Sequence, residues 1–268
     1  MDENMIRSLL KNVRCFLLDM DGTFYLGDKL IDGSLDFLHA LERTGRTARF
    51  LTNNSSKSAS VYRDKLERMG VDERYRDVIT SGHAAAHYIL RTFPGKCGYL
   101  MGNDMLKREL EEMGLHFCQD MNADYVLCAF DTTLDYKRMC EVCDLVRAGK
   151  PYIATHPDFN CPTEDGFVPD IGAMMALIKA STGRDADVIL GKPYKGIVDE
   201  ALMRTGFSLA EMAMVGDRLY TDVATGVNHG MTGILVLSGE AAMEDVKQSE
   251  VKPHLIFDKL ADMIPYLD

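Results

Sequence analysis

Four apolar residues, Cys15-Phe16-Leu17-Leu18, carry no charge on either face, and directly after them the chain turns acidic at Asp19 and Asp21. A short run that is apolar on both faces predicts a strand covered on both sides, as in a parallel sheet between helices. The same pattern recurs. The run 47–51 leads into Thr52-Asn53-Asn54-Ser55-Ser56, 188–190 into Gly191-Lys192-Pro193, 213–215 into Gly216-Asp217-Arg218, and 234–237 into Ser238-Gly239. Apolar residues at helical spacing predict helices over 33–44, stopping at Gly45, and over 58–69, stopping at Gly70. Strand, polar corner and helix make a βα unit, and its corner lies at the carboxyl end of the sheet, where ligands bind.

A second series begins near Thr80, with strands expected at 98–101, 125–130 and 152–154 and helices reaching 113, 148 and, from 171, 182. That stretch is about a hundred residues, a domain's worth. The pattern therefore predicts an α/β protein: a doubly wound parallel sheet made of 1–79 and 186–268, with a smaller α/β domain, 80–185, inserted between them. Asp-Gly between apolar residues is also a hairpin signal, so Thr23-Phe24-Tyr25-Leu26 is a candidate return strand, or a small flap after the acidic corner.

Composition narrows the function. At 268 residues, 46% hydrophobic and 26% charged, the chain has the profile of a globular protein with room for two cores. A net charge of −11 argues against nucleic-acid polymers, whose phosphates require clustered Lys and Arg. No apolar run is long enough to span a membrane and no cationic leader precedes one, which leads us to expect no membrane partner and a cytoplasmic location. The seven cysteines are then expected as free thiols.

The chemistry gathers at the strand ends. Asp19 and Asp21 leave the same side of an extended chain, about 7 Å apart. Paired carboxylates are tolerable around a cation or when one of them holds a proton. With Asp217 they could offer hard oxygen ligands to Mg²⁺, which takes one or two carboxylates beside phosphate and water. Lys192 and the donors of Thr52 and Asn53 could neutralise a phosphoryl group, and a carboxylate could act as its nucleophile. For each corner alone a plainer account exists: a solvated lysine at 192, helix caps at 52–56, 217 and 222.

Asp19-Met20-Asp21-Gly22-Thr23, Thr52-Asn53-Asn54-Ser55-Ser56-Lys57-Ser58, Gly191-Lys192-Pro193 and Gly216-Asp217-Arg218-Leu219-Tyr220-Thr221-Asp222 together resemble the four motifs of the haloacid dehalogenase (HAD) superfamily. Their order and the long insertion before the Lys motif resemble its NagD-like, nitrophenylphosphatase branch. The resemblance implies a Mg²⁺-dependent phosphatase for a small phosphorylated metabolite such as a sugar phosphate or nucleotide. Asp19 would be the nucleophile, Asp21 the acid and base, Thr52 and the backbone of Asn53 the phosphate holders, and Lys192 the cation beside them. Asp19, the carbonyl of Asp21, and Asp217 would hold the metal, with Asp222 behind them. The inserted domain would be a cap that opens and closes, and homodimerisation stays open. Ala154-Thr155-His156-Pro157-Asp158 also resembles a branch feature, with His156 where Asn is common; His156, Asp158 and Asn160 are the residues chosen for substrate contact.

Other patterns point elsewhere with less force. His83 and His87 share a helical face without the Glu of a zinc-protease motif, and Cys140 and Cys143 have half of a zinc-site spacing without a second pair. A phosphotransferase using the same aspartyl-phosphate, or a phosphate-binding module without catalysis, are the rival classes.

Overall fold

The computed structural model describes residues 2–163 and 166–267, which fall into two compact units. The first comprises Met1–Thr52, Tyr62–Ile79 and Ala201–Asp268, and the second Asn53–Val61 and Thr80–Glu200. Each has its own sheet and its own apolar cluster.

In the first unit a six-stranded sheet runs in the order Leu255–Phe257, Thr232–Val236, Met212–Gly216, Cys15–Leu18, Thr47–Thr52 and Val78–Thr80. Cys15–Leu18 lies near its middle. It pairs in parallel with Met212–Val215 on one side and Thr47–Phe50 on the other, and all four of its residues are buried. This is why it carries no charge on either face. Phe16 meets Phe37 of the Ser34–Arg43 helix edge-on, with ring centroids 5.4 Å apart, and Phe24 meets Phe50 at 4.8 Å. Such contacts add to the area buried around the strand. The return-strand expectation resolves as the flap: Tyr25–Leu26 pairs antiparallel with Lys29–Leu30 in a two-stranded ribbon of its own.

The second unit holds a five-stranded parallel sheet in the order Val188–Ile189, Tyr152–Ala154, Tyr125–Cys128, Cys97–Met101 and His116–Phe117. One expectation is corrected here. The run 188–190 does not resume the first sheet, because Val188 and Ile189 pair with Ile153 and Ala154. A two-residue strand has no local pattern that distinguishes one parallel sheet from another. The helices Tyr136–Arg147 and Ile171–Thr182 supply Met139, Val142, Cys143 and Ile178 to the core of this unit. A separate antiparallel ribbon, Asn160–Thr163 with Gly166–Pro169, exposes Phe167. Among the described residues no helix is long and apolar enough to cross a membrane.

Candidate active site

Both ends of the acidic corner are set by backbone geometry. The Asp19 N–H donates to the Val215 carbonyl at 2.9 Å, which continues the ladder one residue beyond the strand. The chain then turns. Phe24 N–H donates to the Met20 carbonyl at 2.9 Å and Gly22 N–H to the Tyr25 carbonyl at 2.8 Å. Asp19 is left half-buried and Asp21 exposed. Gly22 has φ +87, and a side chain there would also strike the Asp217 carboxylate. Gly239 approaches the same carboxylate from elsewhere in the unit, so a methyl group at either glycine would fill the space around it.

Asp217 follows the buried strand Met212–Gly216 and is itself 3% exposed. Its Oδ2 accepts from Glu240 N–H at 2.7 Å, whereas Oδ1 is buried without a partner. Burial, with the adjacent Asp222 carboxylate adding to it, pushes its pKa up to about 6. Asp222 is fully buried and its Oδ2 accepts from Arg218 N–H at 3.1 Å. Ligand oxygens of Asp19, Asp217 and Asp222 lie within 4.8 Å of one another. Three hard oxygen donors, one buried orphan lone pair and a glycine cradle fit a divalent cation of the Mg²⁺ type. The structure thus brings together Asp19, Asp217 and Asp222 of the expected residues. Thr52 is buried at the end of its strand in this same unit.

The remaining expected residues belong to the second unit. The loop that starts at Asn53 is tied to that unit at several points. Ser81 Oγ donates to the Asn53 carbonyl (2.5 Å), Asn103 Nδ2 to Ser56 O (2.7 Å), Phe130 N–H to Ser55 Oγ (3.0 Å), and Ala59 N–H to Glu109 Oε1 (2.7 Å). Lys192 is 3% exposed, so it is no solvated surface lysine. Its N–H donates to Asn53 Oδ1 at 2.7 Å, and Asn53 Nδ2 donates to its carbonyl at 3.0 Å. His156 is fully buried, with Nε2 3.0 Å from Asp170 Oδ1 and Nδ1 3.0 Å from Thr155 Oγ1. Asp158 is 8% exposed and accepts from Asn53 Nδ2. Asn160 is exposed at the start of the antiparallel ribbon.

The haloacid dehalogenase-like hydrolase family matches residues 16–116, and a HAD-hydrolase-like family matches 189–263. An acid sugar phosphatase of Staphylococcus aureus is 36% identical over 259 residues, covering 97% of this chain and 100% of that protein. The chain belongs to the haloacid dehalogenase-like hydrolases. The solved 4-nitrophenylphosphatase of Thermotoga maritima superimposes on this hydrolase with a TM-score of 0.92 at 46% identity, covering 97% of this chain and 99% of the other. A solved nagD-like protein does so at 0.88 and 44%, covering 96% and 99%. The hydrolase is therefore an enzyme of the NagD/4-nitrophenylphosphatase branch, a phosphatase.

Glu240 and Asp170 enter the site of this hydrolase without a signal in the sequence, whereas Arg218, Ser238 and Gly239 stand in the polar strand ends that the sequence marks. Glu240, Gly239 and Ser238 shape the acidic corner, the last by donating to the Gly22 carbonyl at 2.8 Å. Arg218 pairs with Glu240 at 2.9 Å. Asp170 caps the Ile171–Thr182 helix, accepting from Ile171 N–H at 2.6 Å. The two histidines set aside earlier have structural partners. His83 closes a capping box with Thr80, and His87 lies 2.5 Å from the buried Glu200 carboxylate. Cys143 sits in the second core while Cys140 is exposed, and both are free thiols.

Proposed function

We propose that the hydrolase cleaves small phosphomonoesters, such as a sugar phosphate or a nucleotide, with Mg²⁺ and through an aspartyl-phosphate on Asp19. The observation that carries the reading is the buried, unpartnered Asp217 Oδ1 beside the Asp19 and Asp222 carboxylates. Three acids so close are costly unless a cation neutralises them. Asp19, the Asp21 carbonyl and Asp217 would hold the ion, with Asp222 bracing them through the Arg218 backbone. Bound there, Mg²⁺ supplies positive charge to the nucleophile and to the phosphoryl oxygens.

The chain's own groups do the rest. An Asp19 oxygen attacks phosphorus while the ester oxygen leaves with a proton from Asp21; water then attacks the aspartyl-phosphate, returns a proton to Asp21, and frees inorganic phosphate and Asp19. Asp21 is exposed, as a group exchanging protons with water requires. Thr52, the Asn53 backbone and Lys192 receive the phosphoryl group in this reading, on the strength of their motifs. We assign the domain expected at 80–185, whose sheet extends to Val188–Ile189, as the cap that recognises the organic part of the substrate. Of His156, Asp158 and Asn160, the sequence-based choices for contact, Asn160 is the exposed one and the other two are buried. We place the enzyme in the cytoplasm. The acid sugar phosphatase and 4-nitrophenylphosphatase relatives support a phosphomonoester.

The test is Asp19→Asn assayed with Mg²⁺ and 4-nitrophenyl phosphate. A loss on the order of 10⁴-fold or more is expected, as for other covalent nucleophiles; the parental rate would remove Asp19 from the role. Release of inorganic phosphate by the parent with no added acceptor distinguishes hydrolysis from phosphotransfer.

A further inference from the structure

The backbone of Lys192 is gripped by a side chain. Asn53 presents its amide edge-on, taking the Lys192 N–H on Oδ1 (2.7 Å) and giving Nδ2–H to the Lys192 carbonyl (3.0 Å). An amide can do this in only one orientation. Turned over, its oxygen would face the Lys192 carbonyl and its NH₂ would face the Lys192 N–H, so both bonds would become repulsions. Asp158 settles which way it points, because both of its carboxylate oxygens lie within reach of Asn53 Nδ2, at 3.2 and 3.3 Å. A carboxylate accepts and cannot donate when ionised, so it admits only the NH₂ end.

Asp158 is held in turn. Its carbonyl accepts from Gly172 N–H at 2.8 Å, which ties its loop to the first turn of the Ile171–Thr182 helix. Two residues earlier His156 makes the same connection through its side chain, to Asp170 at 3.0 Å. The hydroxyls behind His156 fit one pattern of protons. Phe130 N–H donates to Ser55, Ser55 reaches Thr155 at 3.1 Å, and Thr155 reaches His156 Nδ1 at 3.0 Å. With Ser55 and Thr155 each donating forward, Nδ1 accepts and Nε2–H points at Asp170. Every group in the chain then has a use.

We propose that Asp158 is a positioning residue for Lys192, acting through the Asn53 amide, and that the His156–Asp170 pair locks the loop that carries it. The inference rests on the reading of Lys192 as the cation beside the phosphoryl group. It differs from a substrate contact in what it predicts. A residue that touches the organic part of the substrate affects esters according to that part, whereas one that sets Lys192 affects every phosphoryl donor alike.

The experiment measures kcat and KM for Asp158→Ala, Asp158→Asn and Asn53→Ala, each alone and with Lys192→Ala. The three donors are 4-nitrophenyl phosphate, glucose phosphate and acetyl phosphate, the last with almost no organic part. Asp158→Ala should lower kcat about 100-fold on all three, the scale of a small misplacement of a catalytic group, and move KM far less. Asp158→Asn, whose Oδ1 can still accept from Asn53, should recover most of the rate. In the Lys192→Ala background neither Asp158→Ala nor Asn53→Ala should cost more. A loss confined to glucose phosphate and 4-nitrophenyl phosphate, or a loss fully additive with Lys192→Ala, would overturn the positioning role. Should Asp158→Ala fail to fold, Asn53→Ala carries the same prediction, since the Asn53 backbone is kept. Parental activity in Lys192→Ala alone would instead overturn the reading of Lys192, a separate result.

Discussion

Asp19, Asp217 and Asp222 in the first unit and His156, Asp158 and Asp170 in the second are two clusters of similar make-up, each bringing three ligand atoms within 4.8 Å of one another. They differ in how the fold has treated the charge. In the second, Asn53 Nδ2, Ile171 N–H and the His156 ring supply donors to the carboxylates, and among the described residues no buried side-chain atom of the three lacks a partner. In the first, Asp217 Oδ1 is an orphan and two glycines keep open the space around that carboxylate. Composition alone would rate both as metal sites. Hydrogen-bond completeness separates a finished scaffold from a site that still needs a ligand.

The comparison is broken most forcefully by removing a carboxylate from the finished cluster. Asp170→Ala takes away the helix cap and leaves buried His156 without its acidic partner. A lost cap costs about 0.5–2 kcal/mol and a buried N–H left unpaired about 1–3 kcal/mol, so urea unfolding should show a loss of about 2–4 kcal/mol with or without Mg²⁺. A loss under about 1 kcal/mol, the level of an exposed pair, would mean that this cluster does not hold the fold.

The opposite pattern is expected of Asp217→Asn. The metal-free protein should lose no stability, because the change removes a buried charge whose proton affinity is already raised. Mg²⁺ affinity, read by calorimetric titration, should fall by about 100-fold or more, since even residues behind the ligands are worth 10–100-fold in metal sites. That is about 2.7 kcal/mol of binding. Unchanged Mg²⁺ binding would place the ion elsewhere.

Much of this was legible in the chain, for identifiable reasons. Cys15–Leu18 announces itself because a strand at the centre of a parallel sheet is apolar on both faces, and the acids after it stand out against that run. The Ile171–Thr182 helix and the Tyr152–Ala154 strand fall where their apolar spacing put them. What was hidden depends on partners far along the chain. Val188–Ile189 joins the second sheet through a register no local pattern encodes. Leu255–Phe257 and Val78–Thr80 are three residues each, too short for periodicity. His156 was visible as a departure from the family, but its partner Asp170 is fourteen residues on. Glu240 reaches Asp217 across twenty-three.

The smallest expected effect tests the first cluster most sharply, because its sign is fixed. The Asp217 carboxyl, raised from 3.8 to about 6 by burial and by Asp222, binds a proton more tightly in the fold than in the unfolded chain. In the metal-free protein this group therefore contributes stability that is fully present below pH about 4 and lost as the pH rises through about 6. Mg²⁺ competes with that proton, so the stabilisation by Mg²⁺ should run the other way: constant above pH about 7 and shrinking below 6. One competing proton changes apparent affinity by up to tenfold per pH unit, so with Mg²⁺ held well above its apparent Kd the drop between pH 6 and 5 approaches about 1.4 kcal/mol. Thermal unfolding at fixed free Mg²⁺ from pH 5 to 8 measures it, with Asp217→Asn as the control in which this slope is absent. A Mg²⁺-induced shift in the parent that is flat across that range would show that Asp217 is not where proton and cation meet.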